Sequence, residues 1–442
     1  MRKNRAILLS VLSIVFCLWA ASPLVASDEA PTGDASVATS ANAKLESAEE
    51  GRVPYPKDIE RVELGALDKA VARGTEFLLR RQNKNGSWGT PHNTKRINIY
   101  APGSSHDGYR AGTTSLALEA LLRVESFLRE TSPDALHDEE LRNLAARKEE
   151  IALSIDRGEK WMFEALPKLR RSSQDVLYNN WGHAYGIHTL RLMYDRPLDL
   201  SEEEMEARRE KIRDCVRSQL RMLEACECVD GGWCYYDFDT KFQRPGSSTL
   251  CFVTATVLVV FPDAQSCGVE VPQRLVKRGI ASILRQRFPN GSYAYGEYTV
   301  KTNHQINKPA AALSRAQVCL LALDLSGHEG FDYQKEYTDW LNRFIARIGW
   351  LEIGRKRPVP HEAWFSVAAY FYYYGHYYAS FCIDRLENPN ERARFANHLV
   401  AINLGLQEKD GSWWDFPLYD YHPYYGTGMV LTTLLNCRDD LL

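Results

Sequence analysis

Three things are scarce in this sequence of 442 residues. There is no basic excess: 54 Lys and Arg stand against 57 Asp and Glu, for a formal net charge of −3. That excludes a nucleic-acid partner, whose phosphate backbone calls for a positive face. No uninterrupted apolar run reaches the roughly 20 residues needed to cross a bilayer. The longest near the start, "AILLSVLSIVFCLWA", falls short. The cysteines lack regular spacing. Ten are present, Cys17 lies in that first apolar run, and the nine that remain are odd in number. A disulfide framework is therefore not expected in a domain this large, and most cysteines read as small buried residues. Cys226, Cys228 and Cys234 crowd around one turn, where a cluster could pair or hold a metal.

What is present begins with an export signal. "MRKNR" is a positive leader, the apolar run follows, and "SPLVAS" ends in small residues suited to cleavage near Ser27. An uncleaved anchor is the alternative. Residues 28 to 56 are rich in Ala, Ser and acids and poor in large apolar side chains, so they read as a disordered linker. The expected organisation is a signal over 1–27, an acidic linker over 28–56 and a folded domain over 57–442, in a periplasmic or extracellular protein.

Beyond residue 57 helical patterns dominate. "LGALDKAVARGTEFLLRRQ" places Leu64, Leu67, Val71 and Leu78 on one stripe, and "EVPQRLVKRGIASILRQRF" does the same with Val271, Leu275, Ile280 and Ile283. Other segments, "TLCFVTATVLVVF" and "FSVAAYFYYYGHYYASFCI", carry no charge at all and predict buried helices. The two kinds alternate. Amphipathic helices start near 64, 149, 204, 271, 332 and 390, and buried ones near 112, 183, 247, 309, 362 and 425. A charged insertion, "RETSPDALHDEELRNLAARKEE", follows the first pair. Six outer and six inner helices predict an all-α fold, a closed (α/α)6 toroid, because closure buries every inner helix.

The turns inside the pairs repeat a phrase. "QNKNGSWGT" at 82–90 and "QEKDGSWWDF" at 407–416 both read Gln-x3-Gly-x-Trp. Glycine admits the left-handed backbone that ends a helix. Tryptophan fills the gap between neighbouring pairs, and glutamine reaches orphan backbone groups. Degenerate forms occur where Glu227 or Arg287 replaces glutamine and Tyr293 replaces tryptophan; Trp181 and Trp350 are read as aromatics of the same turns.

These joints resemble the Q-W repeats of squalene–hopene and oxidosqualene cyclases, and the toroid of protein prenyltransferase β subunits. The resemblance covers about 57 to 442 and speaks for fold more than for chemistry. Such cyclases protonate their substrate from an Asp-x-Asp-Asp motif; here "DFDT" offers Asp237 and Asp239 and lacks the last acid. The prenyltransferases bind zinc through Asp, Cys and His. Here Asp420, Tyr421 and His422 match the histidine segment, while His361 and Glu362 stand where Asp and Cys would be. Squalene cyclization and protein prenylation are therefore not the expected activities.

The starts of the inner helices should share one mouth. His183, His304, His361, Glu362 and His422 fall at such starts. His361, Glu362 and His422, with Asp420, are the candidate catalytic group. The first three are also a candidate donor set for Zn with an open position. Phe371, Tyr374, Tyr377 and Tyr378, with His183 and His304, are expected to line a ligand cavity whose ring faces could stabilise a carbocation. The expected function is binding, and conversion if chemistry survives, of an isoprenoid or other apolar small molecule, with a membrane surface as a second partner. A non-catalytic scaffold is one alternative. A polysaccharide lyase or glycoside hydrolase using such Tyr and His, with Arg110, Arg244 and Arg315, is another.

Overall fold

A computed structural model describes residues 53–94, 101, 103–170, 179–235, 249–361 and 366–442. Glu362, Asp237, Asp239, Arg244, the signal and most of the linker lie outside the described residues.

Among the described residues twelve principal helices appear in six pairs. They are α1 (Leu64–Arg81), α2 (Gly103–Glu130), α3 (Lys148–Ala165), α4 (Asn180–Asp195), α5 (Glu202–Ala225), α6 (Cys251–Val259), α7 (Gln273–Arg285), α8 (Ala316–Leu325), α9 (Tyr333–Ala346), α10 (Tyr372–Asp384), α11 (Pro389–Leu404) and α12 (His422–Arg438). The odd-numbered helices are amphipathic. In α5, for example, Ile212, Val216, Leu220 and Leu223 are buried while the acidic first turn faces water, behind a Ser201–Glu204 capping box. The even-numbered helices are buried almost all round, as α6 and α10 show. No strand is formed among the described residues; a single isolated bridge joins Arg287 and Tyr293.

The inner helices close a ring. α2 packs on α4, α4 on α6, α6 on α8, α8 on α10, α10 on α12, and α12 returns to α2. Each outer helix lies on this ring, α1 against both α12 and α2. The molecule is thus an all-α (α/α)6 toroid. The charged insertion supplies a short helix, Glu139–Ala145, capped by Asp138 and packed on α1.

The repeated turns hold it together. Trp88, Trp233 and Trp413 are fully buried. Each donates its indole N–H to the carbonyl ten residues earlier, Leu78, Leu223 or Asn403, at 2.9, 2.7 and 2.8 Å. Each backbone N–H goes to a threonine hydroxyl on the following inner helix, Thr114, Thr254 or Thr427. The residue that opens the turn grips the next outer helix. Gln82 donates to Ser154 O at 2.8 Å, Glu227 accepts from Arg274 and Arg278 at 2.8 and 2.7 Å, and Arg287 pairs with Glu336 at 2.6 Å. Gln407 donates to Ala70 O on α1 at 3.0 Å, which ties the last repeat to the first.

Two inner helices start later than the charge-free runs suggest. Pro309–Ala312 forms a separate turn before α8. Ahead of α10, Ser366 is left-handed, Ala368 is extended, and the Asp415 carboxylate receives the N–H of Tyr373, which sets the helix start at Tyr372. Trp181 and Trp350 are not joint tryptophans. The first opens α4 and stacks within the ring, and the second lies on the short helix Ile348–Gly354. Among the described residues no helix is long and apolar enough to cross a membrane.

Candidate functional site at the mouth of the ring

The N-terminal ends of the inner helices gather aromatic side chains. Trp181 on α4 lies 6.0 Å from Phe252 on α6 and 6.0 Å from Tyr374 on α10, ring centre to ring centre. Phe252 meets Phe371 at 4.9 Å and Tyr295 at 5.3 Å. On the far side His106 of α2 packs on Tyr419 at 4.7 Å and lies near Tyr421. The outer faces of Tyr109, Trp181, Tyr235, Tyr370 and Tyr419 remain partly open to solvent.

Behind this layer the ring is filled. Phe371, Tyr374, Tyr377 and Tyr378 are 2–4 % exposed. Tyr374 and Tyr378 pack at 4.8 Å, and Tyr377 and Tyr378 at 4.9 Å. The Tyr374 hydroxyl bonds Thr256 and Phe252 O, and that of Tyr377 donates to Glu119 at 2.9 Å. The four rings expected to line a chamber occupy the centre themselves. Two open concavities of about 610 and 810 Å³ lie elsewhere, one by Asp58, Arg392 and Leu441 and the other by Leu200, Met205 and Arg213.

His361 sits at the mouth with φ +54°, a strained position for a residue with a side chain. Its Nδ1 lies 3.1 Å from Ser366 O, which can only accept, so Nδ1 carries the proton. Nε2, 3.2 Å from the Tyr370 hydroxyl, is then the acceptor of that O–H. Tyr295 packs edge-on at 4.9 Å. Burial, with Arg315 and His304 nearby, lowers its pKa to about 4, so the ring is neutral at pH 7. Strain recurs close by: Lys356, Ser366 and Tyr419 also have positive φ. All four residues belong to the mouth loops of the last two repeats. These loops meet where Lys356 N–H bonds Asp415 O and Tyr370 packs on Phe416 at 5.5 Å.

The segments of His361 and His422 are thus neighbours, yet the side chains keep separate partners. His422 Nδ1 donates to Tyr419 O at 2.7 Å, and its ring packs on Trp414. Asp420 accepts from Thr90 at 3.2 Å and Tyr424 at 3.4 Å, and burial raises its pKa. His304 caps a short turn, accepting from Ile306 N–H at 3.2 Å. His183 turns away from the centre toward α5, where Gln219 Oε1 lies 2.8 Å from Nδ1; burial lowers its pKa to about 4. Among the described residues no three of His, Cys, Asp and Glu gather as a metal would require. His361 Nε2 accepts from Tyr370, and Glu362, the third donor of the candidate zinc set, lies outside the described residues.

Two features escaped the sequence, and a third residue, Arg315, has a role other than the one the sequence suggested for it. Arg315 is fully buried, donates to Ala311 O and Ile306 O at 2.9 and 2.7 Å, and lies between the rings of Tyr295 and Phe371. It holds the mouth loop in place. Asp415, which follows the last joint tryptophan in "WWDF", is buried. Desolvation raises its pKa to about 6 against bonds from Tyr373 N–H and the Tyr425 hydroxyl. Lastly, an ionic cluster closes the opposite end. His188 stands between Glu119 at 3.1 Å and Asp263 at 2.7 Å, and Arg123 bonds Glu119 and Asn436 at 3.0 and 3.1 Å. Burial opposes charge on His188, but the two carboxylates outweigh it and raise the pKa to about 10. Burial likewise opposes charge on Glu119, and His188, Arg123 and Tyr377 outweigh it and lower the pKa to about 2. These residues come from repeats far apart in sequence, so no local motif announced them.

No family model and no curated relative matches the chain. Solved structures similar to this chain at low identity include the following two. One is a possible GH105 family member from Klebsiella pneumoniae subsp. pneumoniae MGH 78578, at 12% identity over 87% of this chain and 96% of that one, with a TM-score of 0.45. The other is the type II terpene cyclase MstE from Scytonema, at 12% identity over 86% of this chain and 100% of that one, with a TM-score of 0.27. Likeness of that degree carries no argument about activity.

Proposed function

We propose that this protein is a binding toroid that takes an amphipathic small molecule across its aromatic mouth. The ligand class is an isoprenoid alcohol or a similar molecule with an apolar face and a hydroxyl end. The single observation that carries this reading is the division of the ring into an open aromatic layer and a filled centre. Partly exposed faces of Trp181, Tyr235 and Tyr370 offer apolar contact, while the hydroxyls of Tyr235 and Tyr295, bonded to each other, and the neutral His361–Tyr370 pair offer hydrogen bonds at the rim. A ligand enclosed as in a squalene cyclase would require the Tyr374–Tyr378 layer to move. The scaffold alternative shares the filled centre and differs only in lacking a ligand.

Tryptophan fluorescence during titration with farnesol tests the reading. Saturable quenching is expected, weakened at least about tenfold by Trp181→Ala, as for a buried aromatic anchor. It should be unchanged by Tyr378→Phe behind the packed layer. Saturation by a neutral oligosaccharide and not by farnesol would move the assignment to the carbohydrate alternative; saturation by neither would leave the scaffold reading. Export is proposed with it, and contact with a membrane surface would follow from such a ligand.

A further inference from the structure

We infer that Cys228 and Cys234 are an intrachain disulfide site that staples the turn of the third repeat. The two thiols lie 3.7 Å apart and are 0 % and 2 % exposed. They occupy the second and eighth positions of a turn that is built four times among the described residues. In each copy the second residue donates its N–H to the sixth: Asn83 to Ser87, Cys228 to Gly232, Phe288 to Ser292 and Glu408 to Ser412, at 2.8–2.9 Å. A glycine N–H returns to the second residue's carbonyl in every copy, from Gly86, Gly231, Gly291 and Gly411. The turns are therefore superposable in their hydrogen bonding, and the second and eighth positions face each other across them.

Two other copies link those positions without a covalent bond. In the first, the Asn83 amide donates to Gly89 O at 3.2 Å. In the last, Lys356 pairs with Glu408 and lies 4.5 Å over the ring of Trp414. The third repeat places a thiol at each end. Closing van der Waals contact to a bonded S–S distance of about 2.05 Å asks mainly for side-chain rotation. In the reaction the S–S bond forms, and two protons and two electrons pass to a disulfide oxidant, whose own S–S bond breaks to give two thiols. The bridge would fix the segment that carries Trp233 into the joint and leads directly to Tyr235 at the mouth.

The test uses the full chain incubated with oxidised glutathione, then unfolded, alkylated and digested. The peptide holding Cys226, Cys228 and Cys234 should be lighter by two hydrogens, with Cys226 alkylated and no backbone fragments separating 228 from 234. Reductant should restore three alkylated thiols. Cys226→Ser should keep the bridge and Cys228→Ser should lose it. The thermal midpoint should fall by about 2–4 °C on reduction, the size expected for so short a loop in a chain this long. Alkylation of both Cys228 and Cys234 after oxidation, or a bridge through Cys226, would overturn the assignment. Both readouts come from the wild-type chain, so they hold even if a variant fails to fold.

Discussion

At the scale of single residues the joint tryptophans carry the largest share of local stability. Trp413 is fully buried and spends both N–H groups on partners in its own repeat, Thr427 and Asn403. Trp413→Ala should destabilise the fold by about 3–5 kcal/mol. An unchanged denaturation midpoint would contradict that. His188 makes a pH-dependent contribution. Its folded pKa lies above its ordinary value of 6.5, so its stabilisation is complete below pH 6.5 and is lost as pH rises toward about 10. Glu119, whose pKa is lowered from 4.5, contributes above pH 4.5 and loses that contribution as pH falls toward about 2. His188→Gln should cost roughly 3 kcal/mol at pH 6.5 by leaving buried Glu119 with fewer partners. The gap in midpoint between wild type and variant should narrow steadily from pH 6.5 to 10, and a constant gap would refute the ionic role.

At the scale of elements the unit is the turn between an outer and an inner helix. Gly86 has φ +92°, and a Cβ there would run into the Arg157 carbonyl on the next outer helix. Gly86→Ala should therefore cost about 1–3 kcal/mol, from backbone strain and the lost close approach together. Gln407 performs the same task at the seam: its amide serves both Gly411 O and Ala70 O. Gln407→Ala should cost about 1–3 kcal/mol, because it leaves two carbonyls short of a donor. Amide exchange should speed up in α1 and α11 before it does in α5. Equal protection in all three helices would show that the seam is no weaker than the other joints.

At the scale of the whole molecule the ring has no ends. α12 packs on α2, and Asp420 in the last repeat accepts from Thr90 in the first. Removing residues 389–442 would uncover α2 and α10 at once. The truncated chain should bind a hydrophobic dye and lose cooperative unfolding; a sharp transition in that chain would argue that the repeats are stable alone. Export belongs at this scale too. N-terminal sequencing of protein recovered from the secreting fraction is expected to start near Ser27, and recovery of Met1 would favour the anchor.

Sequence alone determined the helices, their alternation and the closure. Hydrophobic period, absence of charge and repeated glycine–tryptophan turns are local properties, and six uncharged helices have few other ways to be buried. It also placed the segments of His361 and His422 side by side, since consecutive repeats must be neighbours. It could not determine what each side chain touches. His183 lies at an inner-helix start like the others, yet its rotation about the helix axis turns it toward Gln219 and away from the mouth. The run "FYYYGHYY" reads equally well as a lined chamber or a filled core. Only the packing of Tyr374, Tyr377 and Tyr378 against Thr256 and Glu119 decided for the filled core. Such contacts join residues more than a hundred positions apart, and their geometry exists only once the ring has closed.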